Sequence, residues 1–383
     1  MAQTLRLFLA SENQGVALDE LQRRRRDAIL QGLDVTGRRG AEIGPLSRPL
    51  VAKGDSEVYY VDHCSAEQLR EKYHGDPNVK PEDVVDVDFI WSDQPAKELL
   101  RSVCPLDYVV ASHVIEHVPD LVGWLHEMRE TLRDGGSLVL AVPDKRFTFD
   151  AYRRTSAMEE IRLAYKERRR RPGLRPIMDH FANVVRADTW ALWDDYAKLD
   201  EFPFFHDPSF LSLAARHYAE GRYVDVHCWV FTPWSFLDVL GQAVKETGLG
   251  FDLESFQTTS SHDLEFYVRL ARVARSTTDW EREAVIARAG ARWPEALGRA
   301  AELMEPRSAQ LAARATDLGE LKAQLAEATR RAESAEARSA QLESRVAALE
   351  GSTSWQVTAP IRAVVRTWRG ETRGRALANR SRA

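Results

Sequence analysis

The stretch Leu106–Asp120, LDYVVASHVIEHVPD, ends an apolar run in a polar tip of Ser112, His113, Glu116 and His117. An imidazole at such a tip can accept a proton near neutral pH or support a cofactor. His180 in IMDHFANVVR and His227 in DVHCWVFTP are further candidates for the same work, with structural hydrogen bonding an equal alternative for both. Acids also close other apolar runs. Glu42 precedes Gly44 in GAEIGPLSRP, Asp62 ends EVYYVD, and VVDVDFIW carries Asp88 and Phe89.

Such residues act together only if the chain brings them to one edge. Leu106 to Ala111 reads as a buried strand and Leu121 to Leu132 has helical spacing; Asp134-Gly135-Gly136 breaks that helix before a second strand, Ser137 to Val142. That is a βαβ unit, and in a doubly wound sheet ligands sit at the carboxyl ends of the strands. A carboxylate at the tip of the second strand, here Asp62, can accept both hydroxyls of a ribose. Asp88 and Phe89 suit hydrogen-bonding and covering an adenine. Glycine turn, ribose acid, adenine contact and polar fourth tip, in that order, describe a nucleoside cofactor pocket.

On these motifs the chain resembles the class I S-adenosylmethionine-dependent methyltransferases from Leu18 to Arg272, and most of all bacterial members with EIGPL-x-RP in the first loop and ASHVIEHVPD at the fourth strand. The resemblance implies an α/β fold with a doubly wound seven-stranded sheet, parallel with one antiparallel strand, and S-adenosylmethionine as cofactor. It assigns Glu42, Gly44, Asp62, Asp88, Phe89 and Ser112 to cofactor binding, with His117 supporting the cofactor loop. The superfamily loop is E/D-x-G-x-G-x-G, whereas this chain has Glu42, Ile43, Gly44, Pro45, Leu46 and Ser47. Losing the second and third glycines argues against a pyrophosphate ligand, which needs close backbone approach. S-adenosylmethionine carries no phosphate. Helix Thr232–Thr247 and strands Phe251–Thr258 and Leu264–Leu270 fit the antiparallel hairpin that ends this fold, and Leu18 to Leu33 fits an amphipathic helix with Arg23 to Arg26 on its solvated face.

Composition narrows the function. The 383 residues are 44% apolar and 29% charged with a net charge of −5, an ordinary soluble balance that argues against nucleic acid as the partner. Cys64, Cys104 and Cys228 form no CxxC pair, which suits a reducing cytoplasm. No apolar run approaches the length of a membrane span. Asp144 and Asp179 are carboxylates that could hold a metal with a histidine, but no tight spacing enforces it and no metal ligands are assigned.

Residues 1–272 are read as the methyltransferase domain. Within it, 144–231 is far longer than an ordinary strand-to-helix connection and is expected to be a helical lid insertion for the acceptor. It holds Trp190, Trp193, Tyr196, Phe202, Phe204, Phe205, Tyr218, Tyr223 and Trp229. Aromatics can stack on sugar faces, although most are expected to form the insertion's own core. Methyl transfer to a sugar hydroxyl needs its proton removed, and His113, His227 or His180 is the candidate base.

Residues 273–300 read as a helical linker and 301–350 as a coiled-coil helix: Leu311, Leu318, Leu325 and Ala332 recur at heptad spacing, with Leu321, Ala328 and Ala335 three positions after. Residues 351–383 form a basic amphipathic tail bearing Trp368, suited to peripheral contact with an anionic membrane face. Its STSWQVTAPIRAV resembles STSWR-x-TAPLR segments that follow coiled coils in bacterial surface-polysaccharide glycosyltransferases. That resemblance implies a glycan or lipid-linked sugar acceptor; the cysteines and the tail point to a cytoplasmic protein, peripheral at the inner membrane face, and the heptads to self-association or a glycosyltransferase partner through the coiled coil. Two alternatives stand beside it: a coiled-coil scaffold with weak or no catalysis, and a small-molecule methyltransferase.

Overall fold

The computed structural model describes residues 14–76 and 79–291 and six positions between 327 and 345. The chain divides into two compact units, 1–318 and 319–383. In the second, Glu327, Arg330, Arg338, Gln341, Ser344 and Arg345 are helical and exposed. Arg330 pairs with Glu327 at 3.0 Å, one turn away. None of these positions belongs to the heptad seam. The seam residues and the tail 351–383 lie outside the described residues.

The first unit opens with α1 (Gln14–Leu30), β1 (Arg39–Ile43), β2 (Glu57–Asp62), α2 (Ala66–Lys72), a short β3 (Phe89–Ile90) and α3 (Ala96–Leu99). β4 (Leu106–Ser112), α4 (Leu121–Thr131) and β5 (Leu132–Pro143) follow. Four helices then separate β5 from the last sheet elements: α5 (Met158–Glu167), α6 (Leu174–Asn183), α7 (Thr189–Asp194) and α8 (Ser209–Ala219). The unit closes with α9 (Pro233–Thr247), β6 (Phe251–Gln257), β7 (Glu265–Arg272) and α10 (Trp280–Gly290).

The strands form a seven-stranded sheet in the order β3-β2-β1-β4-β5-β7-β6. β1 to β5 run parallel, and β7 is antiparallel to both its neighbours. This is the expected doubly wound arrangement with one reversed strand. Period-two alternation sorts the side chains. Val109 and Ala111 of β4 face a core built with α4, α5, α9 and α10, while Tyr108 and Val110 face a smaller core closed by Ile29 and Leu30 of α1. Gly40 in β1 lets the Tyr108 ring lie against the backbone, since a Cβ there would meet the ring at 2.1 Å.

Helix ends follow local chemistry. Thr232 caps α9 by accepting the Ser235 N–H, Pro233 sits in the first turn, and Gly248 closes the helix at φ +69°. α10 lies in the segment read as a linker, yet it buries Trp280, Ala284 and Ala287 in the main core. Those residues fall on one helical face, so the segment adds a core helix to the domain.

Residues 144–231 build satellite cores of their own. Ile177, Ala214, Val224 and Val226 pack between α6 and α8, and Phe147, Leu192 and Tyr196 pack under α7 with Trp193 stacked on Phe147 at 4.0 Å. Among the described residues no helix is long and apolar enough to cross a membrane.

Candidate active site

The carboxyl ends of β1, β2 and β4 open onto a cleft of about 2000 Å³, which α1, the start of β7 and the 144–231 segment also line. Gly44 turns the chain out of β1 at φ +67°, and a Cβ there would meet Val114 Cγ2 at 3.2 Å. The left-handed backbone favours glycine here, and a Cβ would also crowd the Val114 methyl. Glu42 is buried and accepts the N–H groups of Leu50 and Val51 at 2.8 to 3.0 Å. It therefore fixes the loop that stands in for the missing glycines. Burial pushes its carboxyl up to about 7, against the pull of those two N–H bonds.

Asp62, at the tip of β2, lines the cleft. Its Oδ1 accepts the His63 N–H at 2.7 Å and lies 2.6 Å from His63 Nδ1, which leaves Oδ2 for a ligand hydroxyl. Asp88 and Phe89 are placed differently from expectation. Asp88 accepts the Tyr60 N–H and the Lys53 ammonium, both at 2.8 Å, and Phe89 lies edge-on to Tyr59 in the sheet. The cleft is instead lined by Trp91, Ser92 and Asp93, just beyond β3. β3 is two residues long and its tip falls later than the apolar run suggests.

At the tip of β4, His113 adopts φ +55°, a strained value for a side chain of this size. Its N–H is anchored to Ala141 O at 3.0 Å, and its Nε2 lies 2.6 Å from Glu265 Oε2. Glu265 opens β7 and is only 2% exposed. Arg25 grips it with two bonds, 2.6 and 2.8 Å, and donates to Ser112 Oγ at 2.6 Å. Burial alone would raise the Glu265 carboxyl, but Arg25 and His113 outweigh it and hold it far below the usual carboxylate range. Arg25 thus departs from the solvated face expected of its cluster, because the buried carboxylate draws it inward.

A second histidine group sits beside the first. Residues Ile115–His117 form a single tight turn. The Cys228 and Trp229 N–H groups both donate to Glu116 O, at 2.7 and 3.1 Å, and Trp229 Nε1 donates to Val118 O at 2.6 Å. This lacing sets His227 against Glu116. His227 Nδ1 lies 2.6 Å from Asp150 Oδ2, and Arg153 donates to Asp150, Asp179 and His227 O from full burial. Burial works against the charge of Asp150, yet His227 and Arg153 pull its carboxyl well below its ordinary value. His117 Nδ1 is 3.2 Å from Asp225 Oδ1, within ion-pair range but off a hydrogen-bond direction.

Other candidates fall away from the chemistry. His180 is absent from the cleft wall and packs among Phe149, Phe181 and His206; burial lowers its pKa well below the ordinary value. Asp144 is consumed by Arg146 and Thr259, and Asp179 by Arg153 and Asn183, so this pair is not available to hold a metal. Trp193, Tyr196 and Trp229 are core or hydrogen-bonded, whereas Trp190 and Tyr223 reach the cleft while staying 43% and 55% exposed. Sequence reasoning missed Arg25, Asp150 and Glu265. Only Glu265 left a trace, an acid at the start of an apolar strand.

A family model described as a methyltransferase domain matches residues 12–231. The chain belongs to this methyltransferase family. Its cofactor is S-adenosylmethionine. The methyltransferase is similar to solved structures of magnesium protoporphyrin IX methyltransferase from Synechocystis PCC 6803 with bound SAH, at 10% identity over 70% of this chain and 90% of that one, with a TM-score of 0.30. It is also similar to the CcbJ methyltransferase from Streptomyces caelestis, at 19% identity over 33% of this chain and 55% of that one, with a TM-score of 0.23. No curated protein matches the sequence. The residues present fit the cofactor: Gly44 opens a cradle that a side chain would fill, and Asp62 keeps an acceptor at the edge of the same cleft.

Proposed function

We propose that this methyltransferase O-methylates a sugar hydroxyl of a cell-surface polysaccharide or its lipid-linked precursor, with His113 as the base. The observation that carries the reading is His113 itself: an imidazole held at a strained β4 tip by a buried carboxylate, in the same cleft as Gly44 and Asp62. When bound, S-adenosylmethionine supplies an electrophilic methyl group on a sulfonium.

Ser112, Gly44 and Asp62 position that ligand, and the Glu42-bound loop closes beside it. With Nε2–H donated to Glu265, His113 keeps the Nδ1 lone pair to take the acceptor proton. Glu265 then balances the imidazolium, and Arg25 keeps Glu265 in place. The cleft-facing aromatics Trp190 and Tyr223 offer ring faces for the apolar side of a pyranose. The STSWQVTAPIRAV segment supports glycan assembly as the setting. Surface glycans from cells with and without the protein are compared by intact mass. A mass step of one methylene is expected, and identical masses would refute the acceptor class.

A further inference from the structure

Glu116 is the least explained side chain in the molecule. It is 1% exposed, and both of its carboxylate oxygens are buried without a hydrogen-bond partner. A buried carboxyl group whose oxygens have no partner destabilises the fold unless something compensates it. Its nearest cationic candidates are His113 Nδ1 at 3.6 Å and His227 Nε2 at 3.9 Å, both beyond hydrogen-bond reach of Oε1. Two carboxylate oxygens facing imidazole nitrogens are the donor types that bind a cation.

We propose that Glu116, His117 and His227 form a divalent transition-metal site inside the cleft. One ligand atom from each lies within 4.8 Å of the others. In a tetrahedral zinc site, bonds of about 2.0–2.1 Å place ligand atoms about 3.3 Å apart, so side-chain rotations close the 3.9 Å gap between His227 Nε2 and Glu116 Oε1 by about 0.6 Å and the widest gap in the set by up to about 1.5 Å. Two imidazoles and one carboxylate are the ligands of open sites for zinc and its neighbours, and magnesium or calcium would ask for more oxygens.

The surroundings are those of a metal site as well. Ligating histidines carry a carboxylate on their second nitrogen, which fixes the ring and raises its basicity. Here Asp150 holds His227 Nδ1 at 2.6 Å and Asp225 sits 3.2 Å from His117 Nδ1. Arg153 locks Asp150 in turn, and the 228–229 backbone bonds to Glu116 O fix the spacing of the ligands. All three residues line the cleft, and a site of three protein ligands takes water or substrate as its fourth. The inference rests on these contacts and holds whatever acceptor the enzyme uses.

The test is metal binding, read apart from activity. The full-length protein is stripped with a chelator and titrated with Co²⁺ in the visible region and with Zn²⁺ by calorimetry. One equivalent is expected, with the intense d–d bands of low-coordinate cobalt. E116Q and H117Q should abolish those bands at stoichiometric cobalt, and D150N should weaken zinc binding about 10–100-fold. H74Q, on an exposed position, should leave both unchanged. If E116Q fails to fold by circular dichroism, H117Q, whose ring is part-exposed, carries the test. No cobalt bands and no zinc heat at millimolar metal, or wild-type binding by E116Q or H117Q, would overturn the site.

Discussion

Replacing Arg25 with Met keeps the aliphatic stem and removes the guanidinium from Glu265. The variant loses two bonds to Glu265 and one to Ser112, while His113 at 2.6 Å and the Tyr267 hydroxyl at 3.0 Å remain on the carboxylate. Hydrogen bonds to charged groups are worth about 1.5–3 kcal/mol each, and breaking a buried pair costs about 3–5. Arg25 is one-third exposed, so screening and the surviving partners put the net cost near the lower end, about 3 kcal/mol. At about 2 °C per kcal/mol for a domain of this size, melting falls by about 6 °C.

The pH dependence gives a second handle on the same change. Glu265 has a depressed pKa in the fold, so its contribution is present above the unfolded carboxylate value and is lost as pH falls toward the folded one. The gap between wild type and R25M in calorimetric melts should be full at pH 7 and narrow below about pH 4.3. Equal melting temperatures at pH 7, or a gap that widens in acid, would refute the network as a stabilising device.

Asp62→Ala should weaken S-adenosylhomocysteine binding about 10–100-fold, the loss of about 1.5–3 kcal/mol from a charged hydrogen bond, with an unchanged melt; unchanged affinity by calorimetry counts against Asp62 as a ribose ligand. Trp190→Ala should raise the KM for a glycan acceptor about fivefold by removing a stacking face worth roughly 1 kcal/mol, leaving cofactor affinity alone, and an unaltered KM would remove Trp190 from the acceptor site. The Glu42 carboxyl is raised to about 7 from an ordinary value of 4.5, so its stabilising contribution is full below about 4.5 and lost as pH climbs through 7. Glu42→Gln should therefore flatten the decline in stability between those values, seen as pH-dependent melting; a decline as steep as wild type shows that Glu42 titrates normally.

The sheet was legible because its signal is local. β4, α4 and β5 follow from apolar runs and helical spacing, although β5 begins at Leu132 and takes in Asp134-Gly135-Gly136, which were expected to precede it. That Gly44, Asp62 and His113 line the cleft could be anticipated for the same reason. Asp88 and Phe89 were misplaced because β3 is only two residues long and gives no alternation to fix its end. Arg25 and Asp150 were invisible for a deeper reason. Nothing near them in sequence reveals that an arginine will be drawn across to Glu265, 240 positions away, or that an aspartate will back a histidine 77 positions on. Among the aromatics of the 144–231 segment, composition could not say which would become core.

β7 lies between β5 and β6, so the final strand of the sheet enters an interior slot. Its first residue anchors the strained imidazole and clasps the opening helix. A nascent chain therefore contains every parallel strand of the sheet before residue 265 leaves the ribosome, and the carboxylate that pairs with His113 and Arg25 arrives only with the strand that takes this inner slot.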